Sequence, residues 1–245
     1  MRRILFRWHG LTVWSYPALL YVGLVVGLVA GNAAAHVAGI DARGAYFATL
    51  VLIPLALVGS RLLFVVTKWP VYRDNLRRIW DRDDGGAAMY GGLALALIGS
   101  VPLLSVLALP IGAFWDVTTF SILVGMIFAR IGCLLNGCCA GRPSQTWCSV
   151  RLPNHLGVSA KRIPTQCLEA GWAVVLLVLA VLVWRRLPFA GALFLVVTAA
   201  YAAGRLPLES AREPEPGAGK ITVYHVMSAA MILLSLATLT VCWPK

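Results

Sequence analysis

The stretch Arg130-Ile131-Gly132-Cys133-Leu134-Leu135-Asn136-Gly137-Cys138-Cys139-Ala140-Gly141-Arg142-Pro143 combines guanidinium groups, thiols and glycines at the end of an apolar run that begins near Phe114. Placing an arginine inside a membrane helix costs about 2.5–3.5 kcal/mol on insertion scales, so such a residue faces a partner or a polar cavity. Glycines let a backbone approach a ligand or a neighbouring helix closely. Together these residues describe a candidate anion site with thiols beside it.

Arg130 and Cys133 stand three residues apart, on one face of a helix end. A bland reading is also open: the arginine reaches for lipid headgroups and the cysteine packs as a small apolar side chain. Gly132 and Gly137 open space beside Arg130, which favours the functional reading for it, whereas Cys133 alone reads as packing. Asn136 and Gly137 close the segment. Cys138 and Cys139 follow; a thiolate is a nucleophile, and nearby arginines lower a thiol's proton affinity. Either could pair with Cys148, and inert small residues are equally compatible.

Further polar residues fall at the ends of apolar runs. Arg205, Glu209 and Arg212 are spaced to share a helical face, with Pro207 expected to disturb that geometry or start a fresh helix; an internal ion pair competes with ligand binding there. In Arg162-Ile163-Pro164-Thr165-Gln166-Cys167-Leu168-Glu169, proline and threonine mark a helix start. Gln166 and Glu169 then point together into a bundle. An intramembrane glutamate is a functional candidate by default. Tyr90-Gly91-Gly92 opens another apolar run, where a tyrosine ordinarily anchors at the interface. Arg61 lies slightly deeper in its run. His225 reads most simply as a satisfied polar residue near a membrane boundary.

The elements that position these residues follow from composition. Hydrophobic residues make up 60% of the 245 and charged residues 13%, with a mean hydropathy of +0.81. A soluble domain averages about 45–50% apolar and about 25% charged, so the chain reads as a single integral membrane domain over residues 1–245. A spanning helix needs roughly 20 apolar residues. Seven segments qualify, approximately 14–36, 45–67, 88–109, 114–135, 167–184, 189–206 and 222–243. The fold expected is therefore an all-α seven-transmembrane-helix bundle with an active face formed by loops 2, 4 and 6. Leu11–Ala35 is longer than the apolar core of a signal peptide and reads as the first span. Gly23, Gly27 and Gly31, and Gly91-Gly92, suit close helix packing in lipid.

The net charge of +11 comes without a basic tail or run, so anionic lipid headgroups, not nucleic acid, are the expected partner. The six cysteines include the spacing C-x4-C-C-x8-C, which matches no standard zinc pattern, and no metal or cofactor is expected. Of the lysines and arginines in the loops and at the span ends, counting Arg205, 15 fall on the N-terminal face and 4 on the other, which by the positive-inside rule puts the polar face in the cytoplasm.

In this order, the pieces resemble the prolipoprotein diacylglyceryl transferase family. The likeness rests on Gly59-Ser60-Arg61, Trp80 through Tyr90-Gly91-Gly92, Arg130-Ile131-Gly132 with Asn136-Gly137 and Gly141-Arg142, and Arg162-Ile163-Pro164-Thr165-Gln166 with Glu169. Arg205, Glu209 and Arg212-Glu213-Pro214 complete it. The resemblance implies a multi-pass bacterial plasma-membrane enzyme that moves the diacylglyceryl group of phosphatidylglycerol onto the lipobox cysteine of a prolipoprotein, with no cofactor. It implies catalytic roles for Arg130, Arg205, Tyr90, Glu169 and Cys138. For Arg61, Gly91, Gly92, Cys133, Asn136, Gly137, Arg162, Gln166, Glu209, Arg212 and His225 it implies substrate binding. It also places the active face outside the cytoplasm, and since Arg130, Arg162, Arg205 and Arg212 then serve a ligand, orientation is assigned by the resemblance over the charge count. The chain departs from the family pattern in four places. Tyr90 stands for a histidine, Cys133 for an asparagine, Cys138 for a glutamate and His225 for a glutamine. Either His225, Glu169 or Cys138 then handles the proton, or the chain is a paralogue with thiol-based redox or acyl-transfer chemistry at Cys138 and Cys139. Lipid binding without catalysis is a third reading.

Overall fold

Long apolar runs have one stable form in lipid, a helix that satisfies its own backbone, and the chain is built accordingly. The computed structural model describes residues 4–9, 11–80, 86–153, 158–213 and 221–243. Arg2, Arg3, Arg82, Pro214, Lys220 and Lys245, which entered the sequence reading, lie outside the described residues. Among the described residues, seven helices are long and apolar enough to cross a membrane. They are α1 (Ser15–Ala38), α2 (Ala42–Thr67), α4 (Met89–Val106), α5 (Ile111–Asn136), α6 (Thr165–Val183), α7 (Ala192–Ser210) and α8 (Val223–Cys242), with a short α3 (Trp69–Tyr72) after α2.

Two β-hairpins were not foreseen. Strands β1 (Ile4–Trp8) and β2 (Leu11–Trp14) pair antiparallel ahead of α1, so Leu11–Trp14 are strand and not the start of the first span. The apolar run continues across that boundary, which hides it from a hydropathy reading. Strands β3 (Val150–Pro153) and β4 (Ser159–Arg162) pair in the loop between α5 and α6, with Val150 opposite Arg162. Arg162 therefore ends a strand and does not begin a span. At Pro207 the expected break does not occur: α7 runs through it to Ser210, and the amide of Ala211 donates to the Pro207 carbonyl. A membrane helix tolerates the one hydrogen bond a proline removes.

The fold divides into two compact units, residues 1–34 with 115–245, and residues 35–114. In the first, α1 meets α5 along Gly23, Gly27 and Gly31: a Cβ on Gly27 would stand 2.7 Å from the Ser121 carbonyl oxygen, and one on Gly23 2.7 Å from Phe128 Cβ. The N-terminus of α7 is capped from α5. Buried Asp116 accepts from the Gly191 amide at 2.7 Å and the Phe194 amide at 3.0 Å. That cap comes from 75 residues away, so no local pattern announces it.

In the second unit α2 and α4 touch through glycine. A Cβ on Gly91 would lie 2.3 Å from the Gly59 carbonyl oxygen, and one on Gly92 2.7 Å from that of Ala56. Arg61 organises the chain after α2. Its Nε donates to the Ile79 carbonyl at 2.7 Å and its Nη atoms to those of Gly86 and Arg78, both at 3.2 Å. The same guanidinium stands over the Phe64 and Tyr72 rings. Tyr90 is buried in the first turn of α4.

Because the obstacle at Gly91 is backbone, it cannot rotate away. Gly91→Val should destabilise the unit by more than the about 1–3 kcal/mol typical of overpacking, whereas Gly171→Ala, with nothing within 4 Å of its Cβ, should be neutral. Thermal unfolding in detergent compares the two.

Candidate active site

Glu169 sits one turn into α6, 1% exposed, where an unpaired carboxylate would be untenable. Three arginines answer it. Arg130 Nε of α5 lies 2.8 Å from its Oε2, Arg212 Nη2 from beyond α7 lies 2.9 Å from the same oxygen, and Arg205 Nη1 of α7 donates to Oε1. Glu209 joins on the far side, accepting from Arg205 Nη2 at 3.1 Å. Arg212 Nε is 3.4 Å from Glu209, close enough for attraction but not aligned for a hydrogen bond. Three guanidinium groups against two carboxylates leave this cluster with a net charge of +1. Both readings of the Arg205–Glu209–Arg212 trio thus meet in one place: the ion pair is present, and positive charge is left over.

Hydrogen-bonding capacity is also left over, as donors on Arg205 and Tyr201 and as an acceptor on Gln166. Arg205 Nε, the Tyr201 hydroxyl and Gln166 Oε1 are buried with no hydrogen-bond partner among the described residues. Tyr201 lies within electrostatic reach of Arg130 and Arg205. Sequence reasoning passed over it as one more aromatic residue in an apolar span; its position one turn before Arg205 was the available signal.

The loop after α5 is tied to the same point. Gly137 ends α5 at φ 77°, with its amide and that of Cys138 both donating to the Cys133 carbonyl, the left-handed cap for which glycine is suited. Cys139 follows with φ 60°, a strained value for a residue with a side chain. The start of α6 holds this loop by its carbonyls: Gln166 Nε2 donates to Cys138 at 2.6 Å and Thr165 Oγ1 to Cys139 at 2.8 Å. Arg162 Nη1 donates to the Gly141 carbonyl at 3.3 Å and pairs with Glu213 at 2.9 Å. Gly141 has no room for a Cβ, which would stand 2.5 Å from the Ile163 oxygen. Cys133, Cys138 and Cys139 come together at this loop, their sulfurs within 4.8 Å of one another. Hydrogen bonds from the Cys133 and Cys138 thiols, with Arg212 and Arg130 nearby, hold the Cys139 thiol well below the ordinary thiol range.

Of the residues expected from sequence, Arg130, Gln166, Glu169, Arg205, Glu209 and Arg212 converge, with Cys133 and Asn136 in the last turn of α5, Gly137 and Cys138 in the loop after it, and Arg162 at the end of β4 adjoining them. His225 does something else. Its Nδ1 caps α8 through Thr222 Oγ1 at 2.9 Å and its Nε2 meets Ser210 Oγ at 3.0 Å, tying α8 to the end of α7. Arg61, Tyr90, Gly91 and Gly92 belong to the other unit.

A family model described as prolipoprotein diacylglyceryl transferase matches residues 3–241. Among similar proteins is the phosphatidylglycerol–prolipoprotein diacylglyceryl transferase of Dehalococcoides mccartyi, 32% identical over 164 residues, 66% of this chain and 62% of the relative. The enzyme of that name from another strain of the species is 29% identical over 78% of this chain and 73% of its own length. That of Clostridium botulinum is 26% identical over 96% of both chains. The match thus spans 62% of the length of the first relative and nearly all of the last.

Removing the shared carboxylate strands three cations. Glu169→Ala should cost about 3–5 kcal/mol, the penalty for breaking a buried ion pair from one side, and Glu169→Gln less, since its amide oxygen still accepts. Thermal unfolding in detergent reads both; a wild-type midpoint for Glu169→Ala would show that the arginines are solvated independently.

Proposed function

Because the chain belongs to the prolipoprotein diacylglyceryl transferase family, we propose that it moves the diacylglyceryl group of phosphatidylglycerol onto the lipobox cysteine thiol of a prolipoprotein, at the polar end of the helix bundle in a bacterial plasma membrane. The observation that carries this reading is the Glu169 cluster. Its net charge of +1 matches the single negative charge of a phosphodiester headgroup. Arginine is suited to phosphate because its planar fork presents paired donors.

The reaction needs a thiol to lose its proton and its sulfur to bond to the glyceryl carbon. The carbon–oxygen bond to phosphate breaks, and glycerol phosphate leaves. Charge grows on the departing phosphate, so guanidinium groups fixed beside it favour the transition state over the substrate. Arg130 and Arg205 fill that role, supported by Arg212. Glu169 is a positioning residue: both of its oxygens are already engaged by guanidinium donors, which suits it to holding arginines and not to taking a proton. Arg162, Gln166 and Gly137 shape the loop that adjoins the phosphate. Tyr201 adds a hydroxyl donor to the same anion.

The test is lipid transfer by the protein in phosphatidylglycerol vesicles to a thiol-bearing lipobox peptide, read as the peptide's mass gain. Arg130→Ala and Arg205→Ala should lose at least a hundredfold in rate, the scale on which a single electrostatic donor is worth, and Lys at either position should rescue poorly. Wild-type rates in either alanine variant would sink the phosphate reading. Orientation is tested separately. With the polar face outside the cytoplasm, a C-terminal reporter should read as cytoplasmic; a C-terminus found outside would restore the assignment made by charge count.

A further inference from the structure

The three thiols at Cys133, Cys138 and Cys139 have no part in the mechanism above, yet the fold gathers them deliberately. They are not contiguous: one is buried in the last turn of α5, and the others follow the helix cap, half-buried and exposed. Two successive reversals bring them back together, Gly137 at φ 77° and Cys139 at φ 60°. The second is held in place by the Thr165 bond to the Cys139 carbonyl. Strain of this kind persists only where surrounding structure fixes it, and it gathers at ligand sites.

We infer that Cys133, Cys138 and Cys139 form a three-thiolate site for a zinc ion with an open fourth position that takes the acceptor thiol. At a zinc–sulfur distance of about 2.3 Å, tetrahedral ligands stand about 3.8 Å apart. The sulfurs here lie within 4.8 Å of one another, near that spacing. Among the described residues no imidazole or carboxylate joins the group, so those residues supply three ligands. Three ligands with one open position is the arrangement of catalytic zinc, whereas structural zinc is closed. Soft thiolates select zinc or monovalent copper. Zinc leaves this trio with one uncompensated negative charge and copper leaves two, so zinc suits a site that must also admit a phosphodiester. Arg130 and Arg212 lie within electrostatic reach of Cys139.

The role of the fourth position rests on the transferase reading. A thiol bound to zinc gives up its proton to solvent. Its sulfur then bonds to the glyceryl carbon as the bond to phosphate oxygen breaks, and the thioether leaves zinc with its three cysteines unchanged. The metal would thus prepare the nucleophile while the arginines receive the leaving group.

The experiment uses the full chain without an affinity tag, produced in zinc-supplemented medium and purified in detergent with reductant and no chelator. Elemental analysis should find stoichiometric zinc, and cobalt substitution should give sulfur-to-cobalt charge-transfer absorption. Cys133→Ser, Cys138→Ser and Cys139→Ser should each lose the metal while eluting as the wild type does. A Cys148→Ser, Cys167→Ser, Cys242→Ser triple variant should keep it. Adding a lipobox peptide should change the cobalt spectrum, and its cysteine-to-serine counterpart should not. A protein without zinc, one that takes only copper, a disulfide among the three thiols, or metal retained in all three single variants would overturn the site. An unchanged spectrum on adding peptide would overturn the open position. Full lipid transfer by zinc-free protein would end this inference and leave the transferase reading standing. Zinc-loaded protein with the cobalt signature but no lipid transfer would do the reverse.

Discussion

A carboxylate buried in an apolar bundle must find donors, and Glu169 finds three guanidinium groups, one from the end of α5 and two from the end of α7 and just beyond it. Each arginine alone would be costly at that depth, and so would the glutamate. Sharing one carboxylate makes all of them tolerable and fixes where α5, α6 and the end of α7 must stand relative to one another within their unit. Buried ion pairs add little net stability compared with apolar packing. Their retention here is therefore better explained by what the surplus positive charge can hold than by what it contributes to folding.

Around that cluster the helices come close because lipid gives them no hydrophobic reason to associate. Contact has to come from fit, and the fit is made by removing side chains. The stripe Gly23, Gly27 and Gly31 lets α1 reach the α5 backbone, and Gly59 with Gly91 does the same for α2 and α4. Gly91 and Gly92, to which the family resemblance gives substrate binding, have the packing task that their small size suggests. Arg61 is similar, with its guanidinium spent on three backbone carbonyls of the chain after α2.

Hydropathy made the seven spans legible, since a run of about 20 apolar residues leaves a chain in lipid little choice. Observed ends fall within a few residues of those expected, as at α6, which starts at Thr165 where residue 167 was anticipated. Both hairpins escaped because strands of four or five residues carry too short a pattern, and β2 lies within an apolar run. The arginines and Glu169 were legible one by one, because charge at membrane depth stands out. That they share a single carboxylate was not, since it depends on which faces of three elements meet. Asp116 and Tyr201 were missed for related reasons: one caps a helix 75 residues away, and the other is polar by a single hydroxyl. That the three cysteines gather at one point was not legible from their spacing. A zinc signature in sequence assumes a turn of ordinary residues between ligand pairs, whereas here a helix cap and a left-handed cysteine close the distance.

The loop that carries the thiols also connects them to the charges. Thr165 and Gln166 grip the carbonyls of Cys139 and Cys138, and Glu169 gathers the arginines from the same first turns of α6. Residues 165, 166 and 169 lie on one face of a helix, so one rigid element sets both the position of the thiol loop and that of the guanidinium cluster. The transfer proposed for this chain, between a bound phosphodiester and a thiol, would require two sites at a fixed separation, since a misplacement of about 1 Å costs on the order of a hundredfold. A single helical turn holding both is a direct way to meet that tolerance. It explains why polar side chains with such different partners are buried together at the start of an otherwise apolar helix.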